Sequence, residues 1–291
     1  MAVYKRNYSA YTGKVSPAWA RVLVLVRYAL AEAWSSKITI GLFTLSLLPC
    51  IVFLFGIYLA DNPIARALFG ARGGLNLAID ARFFFKILQF QSWPALVLTA
   101  WIAPRLITFD LADHALPILL SHPISRFAYV LGKFIALLAS LSIVTWVPCL
   151  LLFVYQGYSS PAPWAAANLR IAGGLFGGAV IWIAFLSLLG LALSSWVKWR
   201  GVATGIIFAA VFVPAAVGAI VNGVLRTRWG LLLNLPVMMS NLWQQLLGAP
   251  DAINPRLSLP TGPIAAVLGA ACFLCAAILN QRIRACEVTR G

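Results

Sequence analysis

The chain has 291 residues, 62% of them hydrophobic and 10% charged, with 22 Lys and Arg against 7 Asp and Glu for a net charge of +15. Soluble domains run near half apolar and a quarter charged, so a water-soluble core of this composition would lack the polar surface to cover it, and lipid is the expected solvent. The basic residues fall in short clusters between apolar runs rather than in one basic domain, which argues against a nucleic-acid partner and fits loops that face anionic lipid.

Residues 1–37 carry scattered charges and no clean apolar core, so no signal peptide is expected. Within them, "SPAWARVLVLVRYALAEAWSSK" places Trp19, Val22, Leu23, Val26, Leu30, Ala33 and Trp34 on one broad helical face, with Arg21, Tyr28 and Glu32 opposite. Charges every few residues make it a poor spanning helix, and it reads as an interfacial helix; a shortened span is the alternative. Six spans follow, at about 38–60, 84–107, 130–155, 169–197, 202–225 and 261–280, each near the 20 residues that a hydrocarbon core requires. Lys133 lies near the start of the third and is expected to snorkel. Between the fifth and sixth, residues 226–260 contain "WGLLLNLPVMMSNLWQQLLG", too short and too interrupted by Pro236 to span, which predicts a re-entrant or interfacial hairpin. Residues 282–291 form a tail.

Lys and Arg set the direction. With the N-terminus inside, 14 of the 22 fall in cytosolic segments and 8 outside, so both termini are expected in the cytosol. The fold class that follows is all-α and integral to the membrane: six transmembrane helices preceded by an N-terminal interfacial amphipathic helix.

Several chemistries lack their residues. The acidic residues Glu32, Asp61, Asp80, Asp110, Asp113, Asp251 and Glu287 all avoid span centres, so a proton or cation relay is poorly supported, although backbone-coordinated sodium stays open. No G-x-x-x-x-G-K-[ST] and no H-E-x-x-H occur, and the two histidines, His114 and His122, lie between spans two and three. Cys272 and Cys275 form a C-x-x-C inside a span, where packing is the expected role rather than metal or redox chemistry. Asp110 and His114 stand one helical turn apart and could pair on a metal, but a solvated helix face is the preferred reading, and no metal site is expected. Gly173, Gly174, Gly177 and Gly178 make two overlapping G-x-x-x-G pairs, which predict close helix packing within the chain or against a second copy.

The segment "APRLITFDLADHALPILLSHPISRFAYVLGKF" joins spans two and three. It carries Arg105, Asp110, Asp113 and His114, then an apolar set at Leu116, Ile118, Leu119 and Leu120, then a break at Ser121-His122-Pro123. Ser125 is placed to cap the next helix. A short amphipathic helix at about 106–122 is expected on the membrane surface. This segment resembles the cytosolic signature of ABC-2 type transporter permeases: a Glu-containing turn and a Gly-Thr-Leu leading into LL-S-x-P-[IV]-S-R, with a Gly-Lys a few residues on. "LLSHPISR" at 119–126 and Gly132-Lys133 match it. Asp110 stands where the family usually has Glu, His114-Ala115 where it has Gly-Thr, and Pro117 replaces a polar residue.

The resemblance implies the fold of such a permease, of the type V exporter kind, in the inner membrane of a prokaryote. It implies a second permease copy and two ABC ATPase subunits as partners, with lipid around them. The chain itself would bind no cofactor, ATP and magnesium belonging to the ATPases. The coupling surface would comprise Arg105, Asp110, Asp113, His114, Leu119, Leu120, Pro123 and Arg126, beside the N-terminal interfacial helix. A translocation path at the dimer seam would be lined by spans one, two and five, with Trp93, Trp101, Phe208 and Phe212 as candidate walls. Export of a hydrophobic or amphipathic substrate is the expected function. The alternatives are a non-transporting membrane scaffold or assembly factor, and an integral-membrane enzyme acting on lipid.

Overall fold

A computed structural model describes residues 17–62, 78–112, 125–249 and 252–288. The described residues form helices and no strands. In chain order these are α1 (Ala18–Trp34), α2 (Lys37–Ser46), α3 (Leu48–Asp61), α4 (Ala81–Ala112), α5 (Arg126–Val144), α6 (Trp146–Ser159), a short α7 (Trp164–Ala167), α8 (Leu169–Ser194), α9 (Arg200–Leu225), α10 (Leu235–Leu247) and α11 (Thr261–Val288). Single 3₁₀ turns at Trp229–Leu233 and Pro255–Leu257 flank α10.

Among the described residues, five stretches are long and apolar enough to cross a membrane: Lys37–Asp61, Arg126–Ser159, Leu169–Ser194, Arg200–Leu225 and Thr261–Arg282. The remaining expected span, the second, falls on the 32-residue α4, which is not among those five. Its length is ample, about 48 Å at 1.5 Å per residue, but Gln89, Gln91, Ser92 and Thr99 and two prolines dilute its apolarity. The reason is position. Phe84, Leu88, Ala95, Leu96, Ala103 and Leu106 of α4 are buried, and the helix packs against α2, α3, α5, α8 and α9. Its neighbours cover most of it, leaving Phe90, Trp93 and Val97 exposed, so it needs less apolar surface than they do.

The first and third spans are each expected as one helix. Each is instead broken, at Leu47 and at Thr145. Pro49 and Pro148 follow those breaks by two and three residues, and a proline leaves the carbonyl four residues earlier without its helical donor. For Pro148 that carbonyl is Val144. Gln91 of α4 resolves both breaks at once. Its side chain is 0% exposed. Its Nε2 donates to the Val144 carbonyl at 2.7 Å and to the Ser46 carbonyl at 2.8 Å, while its Oε1 accepts from the Cys50 thiol at 3.3 Å. One amide thus ties α4 to both broken spans.

The same device explains why α4 continues past Pro104. That proline frees the Ala100 carbonyl, and Thr204 of α9 donates to it at 2.9 Å. Thr108 donates back to the Pro104 carbonyl. The helix therefore runs unbroken to Ala112, and a separate surface helix cannot begin near 106. Residues 106–112 belong to α4, with Leu106, Ile107 and Thr108 buried. The remainder of the expected 106–122 element, from 113 onward, lies outside the described residues.

Pro236 does not interrupt its segment either. It occupies the first turn of α10, where a missing N–H costs nothing. Asn234 caps that helix by accepting from Val237 N at 3.2 Å, and Gly248 closes it at φ 70°. The hairpin is held by Asn241, which donates to the Leu257 carbonyl and accepts from Leu259 N, both at 2.9 Å.

Replacing Gln91 with Leu leaves two buried carbonyls without donors, at about 1–3 kcal/mol each. Purified Gln91→Leu protein in detergent is expected to unfold at a clearly lower Tm than the parent. A matching Tm would show that neither break depends on the amide.

Candidate functional site

The functional elements collect at one end of the bundle and along one seam. The C-terminal ends of α4, α8 and α11 and the N-terminal ends of α5 and α9 meet at that end. The contacts that join them are Thr204 with Ala100, Arg200 over the Trp101 ring at 4.1 Å, and Arg282 Nε donating to the Ser195 carbonyl at 3.2 Å. Among the described residues this end holds the cations Arg105, Arg126, Lys133, Lys198, Arg200 and Arg282.

Arg105 and Arg200 stand close enough for their charges to repel. Arg105 Nε and Arg200 Nη2 are buried without a hydrogen-bond partner among the described residues. The Trp101 face supports the Arg200 guanidinium by a cation–π contact. A pair of cations held this way, short of acceptors, is an arrangement suited to receiving a carboxylate.

The N-terminal helix α1 is fastened to this end. Val26, Ala29 and Ala33 are buried, whereas Trp19 and Leu23, expected on the same face, are exposed. Steric fit decides which part of the apolar face is used. Gly132 of α5 lets α1 approach so closely that a methyl group on it would stand 2.9 Å from Leu25 Cβ. Lys133 does not snorkel. Its side chain is 8% exposed and pairs with Glu32, 33% exposed, at 3.6 Å. A charge in this setting is retained only when paired. The Gly132-Lys133 pair of the sequence motif is thus the joint between α1 and α5. Glu32 was the element that sequence reasoning missed. The signal was a lone carboxylate in an apolar helix, one of only seven acids in the chain.

Of the other residues expected at the coupling surface, Arg126 opens α5, directly after the cap Ser125. Ser125 Oγ accepts from Ala128 N at 3.1 Å, the cap that its position predicts. Asp110 lies in the last turn of α4. Asp113, His114, Leu119, Leu120 and Pro123 lie outside the described residues. Among the described residues no group of three His, Cys, Asp or Glu is placed to hold a metal.

Three of the four candidate path residues stack on one another, and the fourth, Trp101, lies on the same face of α4 as Trp93. On α4, positions 93, 97 and 101 share a face; on α9, so do 200, 204, 208 and 212. The two helices run antiparallel. Trp93 stacks on Phe212 at 6.1 Å and 10°, Phe212 stacks on Phe208 at 6.4 Å and 19°, and Trp101 with Arg200 closes the row. Trp101 Nε1 also donates to Thr39 of α2 at 3.2 Å. Trp93 is 44% exposed and Phe212 47%. An aromatic stripe therefore runs along the α4–α9 surface from an open middle to a cationic end, with the first span beside it.

The glycines divide. Gly174 and Gly178 face α10: a methyl on Gly174 would stand 2.9 Å from the Leu246 backbone, and one on Gly178 2.6 Å from the Trp243 ring. Trp243 Nε1 donates to the Gly178 carbonyl at 3.0 Å. Gly173 and Gly177 face open space. Of the two overlapping pairs, one packs inside the chain and the other packs against nothing among the described residues.

Residues 81–279 match the family described as ABC-2 family transporter protein. The chain belongs to the ABC-2 transporter family. The match begins with α4 and ends in α11, so it takes in both the stripe and the cationic end. Membership makes this chain a multi-pass membrane component of a transporter that works with an ABC ATPase. No curated protein matches the chain.

Substituting Gly174 or Gly178 with Ala is expected to lower Tm in detergent, because α10 must move or Trp243 must leave its carbonyl. Gly173→Ala and Gly177→Ala should leave Tm unchanged or raise it slightly, as helix propensity favours Ala by about 1 kcal/mol. Equal effects at all four sites would contradict the packing.

Proposed function

We propose that the chain is the permease subunit of an ATP-driven exporter in the inner membrane of a prokaryote, moving a hydrophobic or amphipathic substrate. Two copies form the conduit, and two separate ATPase subunits drive it. The observation that carries the reading is the aromatic stripe. Trp93 and Phe212 are exposed, Phe208 and Trp101 are half-buried, and the row ends at two half-buried arginines, Arg105 and Arg200. In the orientation given by the positive charge bias, that end faces the cytosol.

The mechanism follows from the contacts. ATPase closure pushes on the segment after α4 and on the start of α5. The α1–α5 joint at Gly132 and the Glu32–Lys133 pair make these helices move together. Unbroken through Ala112, α4 carries the displacement inward as a stiff rod. Along α4 and α9 the stripe presents flat, weakly polar faces that a hydrophobic cargo slides past without losing hydrogen bonds. The Arg105–Arg200 pair supplies a cationic seat for a carboxylate of the ATPase.

A scaffold has no use for such a stripe, and the cluster that a lipid-modifying enzyme would use, Asp110 with Asp113 and His114, lies at or beyond the edge of the described residues. Reconstitution with the partner ATPase tests the reading. ATP is expected to drive cargo movement, an ion gradient alone to drive none. Trp93→Ala combined with Phe212→Ala should reduce transport by roughly tenfold, as one lost stacking contact of about 1.4 kcal/mol would give, with ATPase binding intact. Transport sustained by an ion gradient without ATP would overturn it.

A further inference from the structure

The arginines at the inner end of the stripe are short of counter-charge. Among the side chains that the structure describes, the carboxylates are those of Glu32, Asp61 and Asp80. Glu32 is paired with Lys133. Asp61 ends α3 and Asp80 directly precedes α4, so both stand at the opposite end of the bundle. Asp80 is also engaged, accepting from Arg82 N and Phe83 N. Arg105 Nε and Arg200 Nη2 are left buried with no acceptor among the described residues, in side chains whose charges repel. One shared anion would relieve both defects, supplying acceptors and offsetting the repulsion.

The surroundings of the pair select the kind of anion. Arg200 lies over the Trp101 ring at 4.1 Å. Trp101 shares its face of α4 with Val97 and Trp93, both exposed. From Trp101 to Trp93 the helix rises about 12 Å, and from Arg200 to Phe212 on α9 about 18 Å. An inorganic anion would fill the seat and leave this apolar surface bare. A neutral hydrophobic molecule would cover the surface and leave the arginines unanswered. We infer that the cargo is an anionic amphiphile, its carboxylate or phosphate head between Arg105 and Arg200 and its apolar body along Trp101, Val97 and Trp93. The inference rests on the reading of the stripe as the cargo path. The ATPase carboxylate takes the same seat on closure, so the head group leaves as the work arrives.

Binding of tritiated dodecyl phosphate, dodecanoate and dodecanol to the full chain in phosphatidylcholine nanodiscs tests it. The ATPase is omitted, empty nanodiscs are subtracted, and the pH keeps both acids ionised. The parent is expected to bind at least one of the two anions about tenfold more tightly than dodecanol, the ratio that one charge-assisted hydrogen bond gives. The tighter of the two identifies the head group. Arg105→Gln and Arg200→Gln should each bring the anions toward the dodecanol level, with Tm held or raised because the repulsion is gone. Trp93→Ala should weaken all three probes alike. Anions bound no more tightly than dodecanol by the parent, a comparison that needs no variant, would overturn the seat. So would a tenfold preference kept by a folded Arg105→Gln, Arg200→Gln double variant. The ATP-dependence of transport is read separately: an exporter of neutral cargo would keep it while showing no anion preference, and its loss would sink the exporter reading without touching the binding measurement.

Discussion

Every backbone carbonyl in a lipid-filled interior must find a donor, and this chain repeatedly removes donors by placing prolines in its apolar helices. The structure depends on how those carbonyls are answered. Gln91 answers the Val144 carbonyl that Pro148 frees and the Ser46 carbonyl at the break of the first span, and Thr204 answers the Ala100 carbonyl that Pro104 frees. These bonds run between helices, so each repair of a local defect is also a tertiary contact. Together they make α4 the axis of the fold, and they account for its polar composition.

That axis sets up the function. Because α4 stays helical past Pro104, its end projects toward the segment that joins it to α5. The Thr204 bond that keeps it straight also fixes the register of α9 against it. Trp93 meets Phe212, and Trp101 meets Arg200. The stripe and the cationic end are two consequences of one antiparallel register. On the other side of α4, α1 is held to α5 by a glycine contact and an ion pair. The parts that would receive a push and the parts that would line a path are therefore joined by a few specific bonds.

Much of this was legible in the sequence. The apolar runs gave four of the spans closely, Ser125 announced its cap, and three of the residues named as candidate path walls, Trp93, Phe208 and Phe212, stack in a row. What escaped has a common cause. The partners of Gln91 lie 45 and 53 residues away, and no local pattern encodes that pairing. The breaks at Leu47 and Thr145 sit inside continuous apolar runs, where Pro49 and Pro148 were the only hints. The continuity of α4 past Pro104 depends on Thr204, from another helix. Lys133 looked like a snorkelling residue because its partner, Glu32, lies on a helix read as resting on lipid. Gly173 and Gly177 read the same as Gly174 and Gly178; only the position of α10 separates them.

The central claim is that work delivered at the cationic end reaches the aromatic stripe. Single cysteines at Val97 and Phe208, on the stripe, and at Phe273, on the exposed face of α11, allow a direct test with the ATPase present. Their reaction with a membrane-impermeant thiol reagent would be followed without nucleotide and in an ATP-trapped state, beside the unsubstituted chain. The account predicts that positions 97 and 208 change their labelling rate between the two states while position 273 does not. Stripe positions that label identically in both states would contradict it.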